Sequence, residues 1–208
     1  MAIPEAEPGI RCIGSEEDAD EAGSVAAHSP AGFEWPSTVF SASLGPVNGF
    51  LGGVTAPDGA LVTEAQVVQL IATACPQADY RGKKVLLIIP DGTRTAPIGM
   101  MFQALHAHLG SITSAFDILI ALGTHPPMPE DAICQRLEIT AEQRTSRYGK
   151  VRFFNHEWDN PAALQSLGTI PSDEIRALSG GLFAMDVPVS INRRVFDYDE
   201  VIIVGPVF

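Results

Sequence analysis

The chain of 208 residues is 46% hydrophobic, enough to fill a real core, and holds no eighteen-residue apolar run, so no transmembrane helix is expected. Its net charge of −12 argues against nucleic acid or an anionic membrane as partner, while small anions can bind only where a local Arg or Lys offsets the field. Three scattered cysteines, Cys12, Cys75 and Cys134, exclude a disulfide framework or a paired-cysteine metal knuckle; with no basic and apolar leader, a cytoplasmic location is expected.

Residues 1–35 carry eight acids and one base, which places −7 of the charge there. The run Glu16-Glu17-Asp18-Ala19-Asp20-Glu21 has few apolar anchors, so residues 1–32 read as a disordered acidic leader. An α/β domain is expected over 33–208. Short extended pieces between Phe40 and Leu51, around Gly45-Pro46 and Asn48-Gly49, come first. Thr63 with Gln66 three residues on reads as a capping box, and Val67, Leu70, Ile71 and Ala74 continue at helical spacing until Pro76.

Val85-Leu86-Leu87-Ile88-Ile89 is continuously apolar, as in a parallel strand covered on both faces. It leads into the loop Pro90-Asp91-Gly92-Thr93-Arg94. Ile98–Leu109 reads as a helix, with Gly110 expected as a left-handed stop. Phe116–Leu122 is a second strand, followed by Gly123-Thr124-His125-Pro126-Pro127. Helices are expected over Glu130–Leu137 and Ala141–Tyr148. Val151–Phe154 is a third strand, entering Asn155-His156, and Val187–Asn192 and Val201–Val204 are two more. This alternation predicts a Rossmann-like parallel sheet with flanking helices.

Ligands in such sheets bind beyond the carboxyl ends of the strands. Three of those ends carry the unusual polar residues. Asp91 can orient a histidine or cap a turn before Pro97. Arg94 can grip a carboxylate or phosphate in a bidentate pair, or serve a surface ion pair. His125 can act as a general base or be held in its turn; Gly123 and the two prolines stiffen its loop, which favours the functional reading. His156 has the same two readings. His106 and His108 stand two apart on a helix, on different faces, and do not suit a joint metal site. The Arg193-Arg194 pair reads as surface. No dinucleotide-binding glycine motif, Walker loop or nucleophile elbow occurs, and Ile89 stands where an aspartate-nucleophile phosphatase needs a second Asp.

Together the loops resemble one family. Asp91-Gly92-Thr93-Arg94-Thr95-Ala96-Pro97 resembles the D-x-T-R-x-x-P motif of the nickel-pincer-dependent lactate racemases. Ala121-Leu122-Gly123-Thr124-His125 is similar to their A-x-G-x-H motif, and Asn155-His156-Glu157 to an N-H-[DE] loop. Ile191-Asn192-Arg193-Arg194 through Val204-Gly205 resembles the segment leading to their second catalytic motif. The likeness spans roughly residues 36–208.

The resemblance implies the N-terminal domain of a two-domain 2-hydroxy-acid racemase or epimerase, in which a nickel-pincer nucleotide accepts hydride. It implies His125 as one of two acid/base histidines and Asp91 as the acid that orients it. Arg94 then contacts an anion, with Thr93 and Thr124 beside it and Asn155 and His156 as further candidates. No metal ligand is expected within the chain. The second histidine, the cofactor-bearing lysine and the nickel-ligating histidine have no counterpart, so the C-terminal domain is read as missing and the isolated chain as inactive. Pro126, where many members carry Arg, implies an altered substrate contact. Two other readings are kept: a non-catalytic α/β module that binds a small anion near Arg94, and a partner-binding domain that uses the acidic leader.

Overall fold

The computed structural model describes residues 9–13 and 53–206. In chain order the elements are β1 (Gly9–Ile13), α1 (Glu64–Ala74), α2 (Gln77–Tyr80), β2 (Lys84–Pro90), α3 (Ile98–Leu109), β3 (Ala115–Ala121), α4 (Glu130–Arg136), α5 (Ala141–Thr145), β4 (Phe153–Asn155), β5 (Leu164–Ile170), α6 (Ser172–Leu178), β6 (Val187–Asn192) and β7 (Glu200–Val204). Five strands make one parallel sheet in the order β1-β7-β2-β3-β4. The extended pieces expected between Phe40 and Leu51 lie outside the described residues.

The parallel sheet explains the apolar strands. Val85, Leu87 and Ile89 of β2, with Ile118 and Ile120 of β3 and Ile202 of β7, face one core with Ile71 of α1, Phe102 and Leu105 of α3 and Ile133 of α4. Leu86, Leu119 and Val201 face the other side, under Tyr198. The connections β2–α3–β3 and β3–α4–β4 advance in one direction, so right-handed crossovers lay their helices on one face. The return from β4 to β7 runs the opposite way and brings Val195 and Tyr198 to the second face.

The helix boundaries have local causes. The Thr63 hydroxyl accepts from the Gln66 amide at 3.3 Å, and the Gln66 side chain returns a bond to the Thr63 amide at 2.8 Å, a complete capping box. Thr140 and Gln143 repeat it before α5. α4 ends with Glu138 at φ 55°, where Ile139 N reaches back to Cys134 O at 3.0 Å. Gln103 Nε2 donates to the carbonyls of Leu137 and Glu138, each at 3.2 Å.

Two expectations are corrected, and one strand is added. Gly110 caps α3 in right-handed conformation, φ −59°, because the chain continues in a turn in which Thr113 N also bonds Leu109 O. Within the stretch read as a disordered leader, Gly9–Ile13 forms an edge strand along β7. Its sequence, Gly-Ile-Arg-Cys-Ile, holds no proline and meets a row of open backbone groups on β7. Val187–Asn192 is a strand, but it pairs antiparallel with β5 in a separate two-stranded sheet, with an irregularity between Ser166 and Gly168. β5 itself has no apolar run, and five of its seven residues are exposed, so hydrophobic patterning carried no trace of it.

Candidate functional site

β2, β3 and β4 run parallel in register, with Pro90 opposite Ala121 and Ile120 opposite Asn155. The loops after them therefore leave the same edge of the sheet. This geometry brings Asp91, Thr93 and His125 together.

Asp91 is buried, 5% exposed, and spends both oxygens. Oδ1 accepts from the Thr93 amide at 3.0 Å and from the Thr93 hydroxyl at 2.5 Å. Oδ2 accepts from His125 Nδ1 at 2.5 Å. Burial alone raises a carboxyl pKa; the bonds from Thr93 and His125 outweigh it and hold Asp91 below its ordinary value. An ionised Asp91 can only accept, so Nδ1 of His125 carries the proton. On the neutral ring, Nε2 then has the free lone pair, and the His125 side chain is 54% exposed. Gly123, at φ 57°, lets the chain turn so that His125 N closes on Leu122 O at 3.1 Å.

Arg94 is exposed on the same loop as Asp91, and its carbonyl accepts from Arg136 Nη2 at 2.7 Å. Thr124 is exposed beside His125 and makes no hydrogen bond among the described residues. Asn155 is a clamp: Oδ1 accepts from Met128 N at 3.0 Å and Nδ2 donates to Met128 O at 2.9 Å. It ties the His125 loop to β4 and has its polar atoms spent there. His156 is not joined to Asp91 or His125. Its Nδ1 accepts from Asn192 Nδ2 at 2.9 Å, and Asn192 Oδ1 accepts from Arg194 N at 3.0 Å, which sets the orientation of that amide.

Among the described residues the remaining histidines, His106 and His108, hold structure. His106 packs its ring edgewise against Phe116 and Tyr148, and burial with Arg147 nearby keeps it below the ordinary imidazole value. His108 Nε2 donates to Cys75 O at 2.9 Å. Sequence reasoning missed Arg136, which steadies the Arg94 loop, and Asn192, which caps the turn of residues 193–197. Asn192 left a signal, an Asn at a strand end before a polar pair. Arg136 left none, since its role depends on where α4 packs.

Among the described residues no group of three or more His, Cys, Asp or Glu could hold a metal ion. The chain's lysines, Lys83, Lys84 and Lys150, lie before or at the starts of β2 and β4, the sheet edge opposite His125. The residues described thus do not fit the attachment of a nickel-pincer nucleotide.

Residues 63–208 match the family described as the lactate racemase N-terminal domain. This chain belongs to that family. The matched lactate racemase N-terminal domain starts at Thr63, the cap of α1, and takes in every residue of the Asp91–Thr93–His125 cluster. The fold is also that of a crystal structure of a protein from Thermotoga maritima, with a TM-score of 0.60 and 26% identity, covering 71% of this chain and 34% of that one. The chain thus spans about a third of that relative's length. No curated protein matches it. No helix among the described residues of this lactate racemase N-terminal domain is long and apolar enough to cross a membrane.

Proposed function

We propose that this chain is the base-bearing N-terminal domain of a racemase or epimerase acting on a small 2-hydroxy acid, with His125 as the general base. The observation that carries this reading is the 2.5 Å bond from His125 Nδ1 to the buried Asp91 carboxylate. Inverting a carbon that bears a hydroxyl breaks its C–H bond and re-forms it on the other face; where that hydrogen leaves as hydride, to an acceptor that the described residues do not supply, a base must take the hydroxyl proton as the carbonyl forms and an acid return one as the alcohol re-forms. A histidine whose Nδ1–H is held by a carboxylate presents Nε2 as the base and stabilises its own positive charge once protonated. Arg94, exposed and next in the chain to Thr93, the partner of Asp91, supplies a cation for the substrate carboxylate.

The hydride acceptor of the family is the nickel-pincer nucleotide, and the described residues do not supply its attachment. This chain's own share is therefore proton transfer and substrate orientation. One oriented histidine serves one face, so the 208-residue chain alone is inactive as a racemase. Measurable racemisation by it would count against this reading.

Two substitutions test it, His125→Ala in the two-domain racemase that this reading implies and Arg94→Ala in this chain. His125→Ala lowers racemisation by about a hundredfold or more, the range ascribed to a general base. Retained activity would remove His125 from the mechanism. Calorimetry with 2-hydroxy acids on this chain and on Arg94→Ala separates the alternative of a non-catalytic anion-binding module: such a module binds through Arg94, while His125→Ala leaves the activity of the longer protein intact.

A further inference from the structure

We propose that the cleft between the segment after β4 and the turn after β6 is a second anion-binding site, in which the Arg194 guanidinium grips a small carboxylate or phosphate. The cleft has a volume of about 250 Å³ and is lined by Asn155, Glu157, Asn160, Asn192, Arg193 and Arg194, with Asp197 at its side.

Three arginines stack on the two phenylalanines of β4. Arg144 lies 4.3 Å from the Phe153 ring and bonds Glu130 at 2.7 Å. Arg152 lies 5.4 Å from the Phe154 ring and bonds Asp117 at 2.6 Å. Arg194 lies closest, 3.8 Å from the Phe154 centroid, and among the described residues nothing accepts a hydrogen bond from its guanidinium. Its backbone is held as well, since Arg194 N donates to Asn192, itself buried at 7% exposure. A half-buried fork, fixed in plane by an aromatic ring and with its donors unspent, is preorganised for a planar or tetrahedral oxyanion. Little side-chain entropy remains to be lost on binding.

The lining also limits the ligand. Arg193 and Arg194 face Glu157 and Asp197, so the cleft carries no large positive excess and does not suit a polyanion. Glu157 Oε2 accepts from Asn160 Nδ2 at 2.7 Å but keeps its charge, so Glu157 and Asp197 both oppose an anion in the cleft. The site does not depend on the racemase reading, because neither Arg194 nor Asp197 belongs to the Asp91–His125 cluster.

The 208-residue chain is titrated with sodium phosphate and, separately, sodium acetate at constant ionic strength, following backbone amide and arginine Nε–Hε resonances. Saturable shifts are expected within residues 155–163 and 192–197 for at least one anion, and the one that saturates at lower concentration identifies the ligand class. Arg194→Gln weakens binding about tenfold or more, the loss of one charge-assisted hydrogen bond. Arg194→Lys, which keeps the charge and the ring contact and so the fold, still weakens it about threefold for want of the fork. Asp197→Asn, at an exposed position, tightens it. Arg94→Ala leaves it unchanged. Absence of saturation with both anions, binding unaltered in Arg194→Gln, or weaker binding in Asp197→Asn would each overturn the proposal.

Discussion

At Asp91 two opposing effects meet. Burial disfavours the carboxylate, while the Thr93 hydroxyl, the His125 ring and the Thr93 amide favour it, and the balance lies below the ordinary value of 3.8. A group whose folded pKa is depressed stabilises the fold above its unfolded value, and that stability is lost as pH falls through the folded value. Asp91→Asn is therefore expected to be less stable than the parent at neutral pH, with the gap closing as pH drops below 3.8. Thermal unfolding of both proteins across that range checks it; a gap that stays constant would mean Asp91 is not ionised in the fold. Aspartate, arginine and histidine at strand ends were legible in the sequence, and so was the pairing of Asp91 with His125 once the family motifs were recognised. The two readings of His156, and the part played by Asn155, were not separable there. Which atoms an amide or imidazole spends on neighbours depends on contacts made far along the chain: Asn155 meets Met128 and His156 meets Asn192.

At the level of single elements, the end of α4 is held against its own preference. Glu138 sits at φ 55°, a left-handed conformation that costs a side-chain-bearing residue about 1–2 kcal/mol. Its side chain also crowds Gly99 of α3, where an added Cβ would lie 2.5 Å from Glu138 Cδ, so no other residue fits at 99 without a shift. Glu138→Gly should raise stability by up to about 1 kcal/mol, seen as a higher melting temperature by circular dichroism. A lower melting temperature would show that Glu138 makes contacts worth more than its backbone strain. The capping boxes at Thr63 and Thr140 follow from three-residue spacing, and the first was readable in advance. The end of α3 at Gly110 was readable too, but the hand of that glycine and the unpatterned strand β5 were not, because a glycine after a helix takes either hand and an exposed strand has no apolar face to announce it.

Across the whole molecule, one polar network ties the amino end of the sheet to the return connection. Asp117 on β3, 1% exposed, accepts from Arg152 Nη2 at 2.6 Å, from Arg152 N at 2.7 Å and from the Tyr198 hydroxyl at 2.7 Å. Burial and the neighbouring Asp117 push the Tyr198 hydroxyl well above its ordinary range, so it remains a donor. Tyr198→Phe leaves that carboxylate its three bonds from Arg152 and removes the one from the tyrosine hydroxyl, and costs about 1–2 kcal/mol in denaturant unfolding. No measurable loss would mean the network is not sampled in solution. The parallel sheet was legible from strand–helix alternation; the order β1-β7-β2-β3-β4, with the last strand inserted beside the first, was not, since pairing across such sequence distances leaves no local mark. The parallel adjacency of β2, β3 and β4 within that order places the loops after them at one edge and so assembles the site. The central claim concerns one proton at that edge. Long-range proton–nitrogen correlation of the His125 ring tests it directly: the neutral ring should carry its proton on Nδ1, with that population falling in Asp91→Asn, whereas a parent protein whose neutral His125 is protonated at Nε2 would contradict the account.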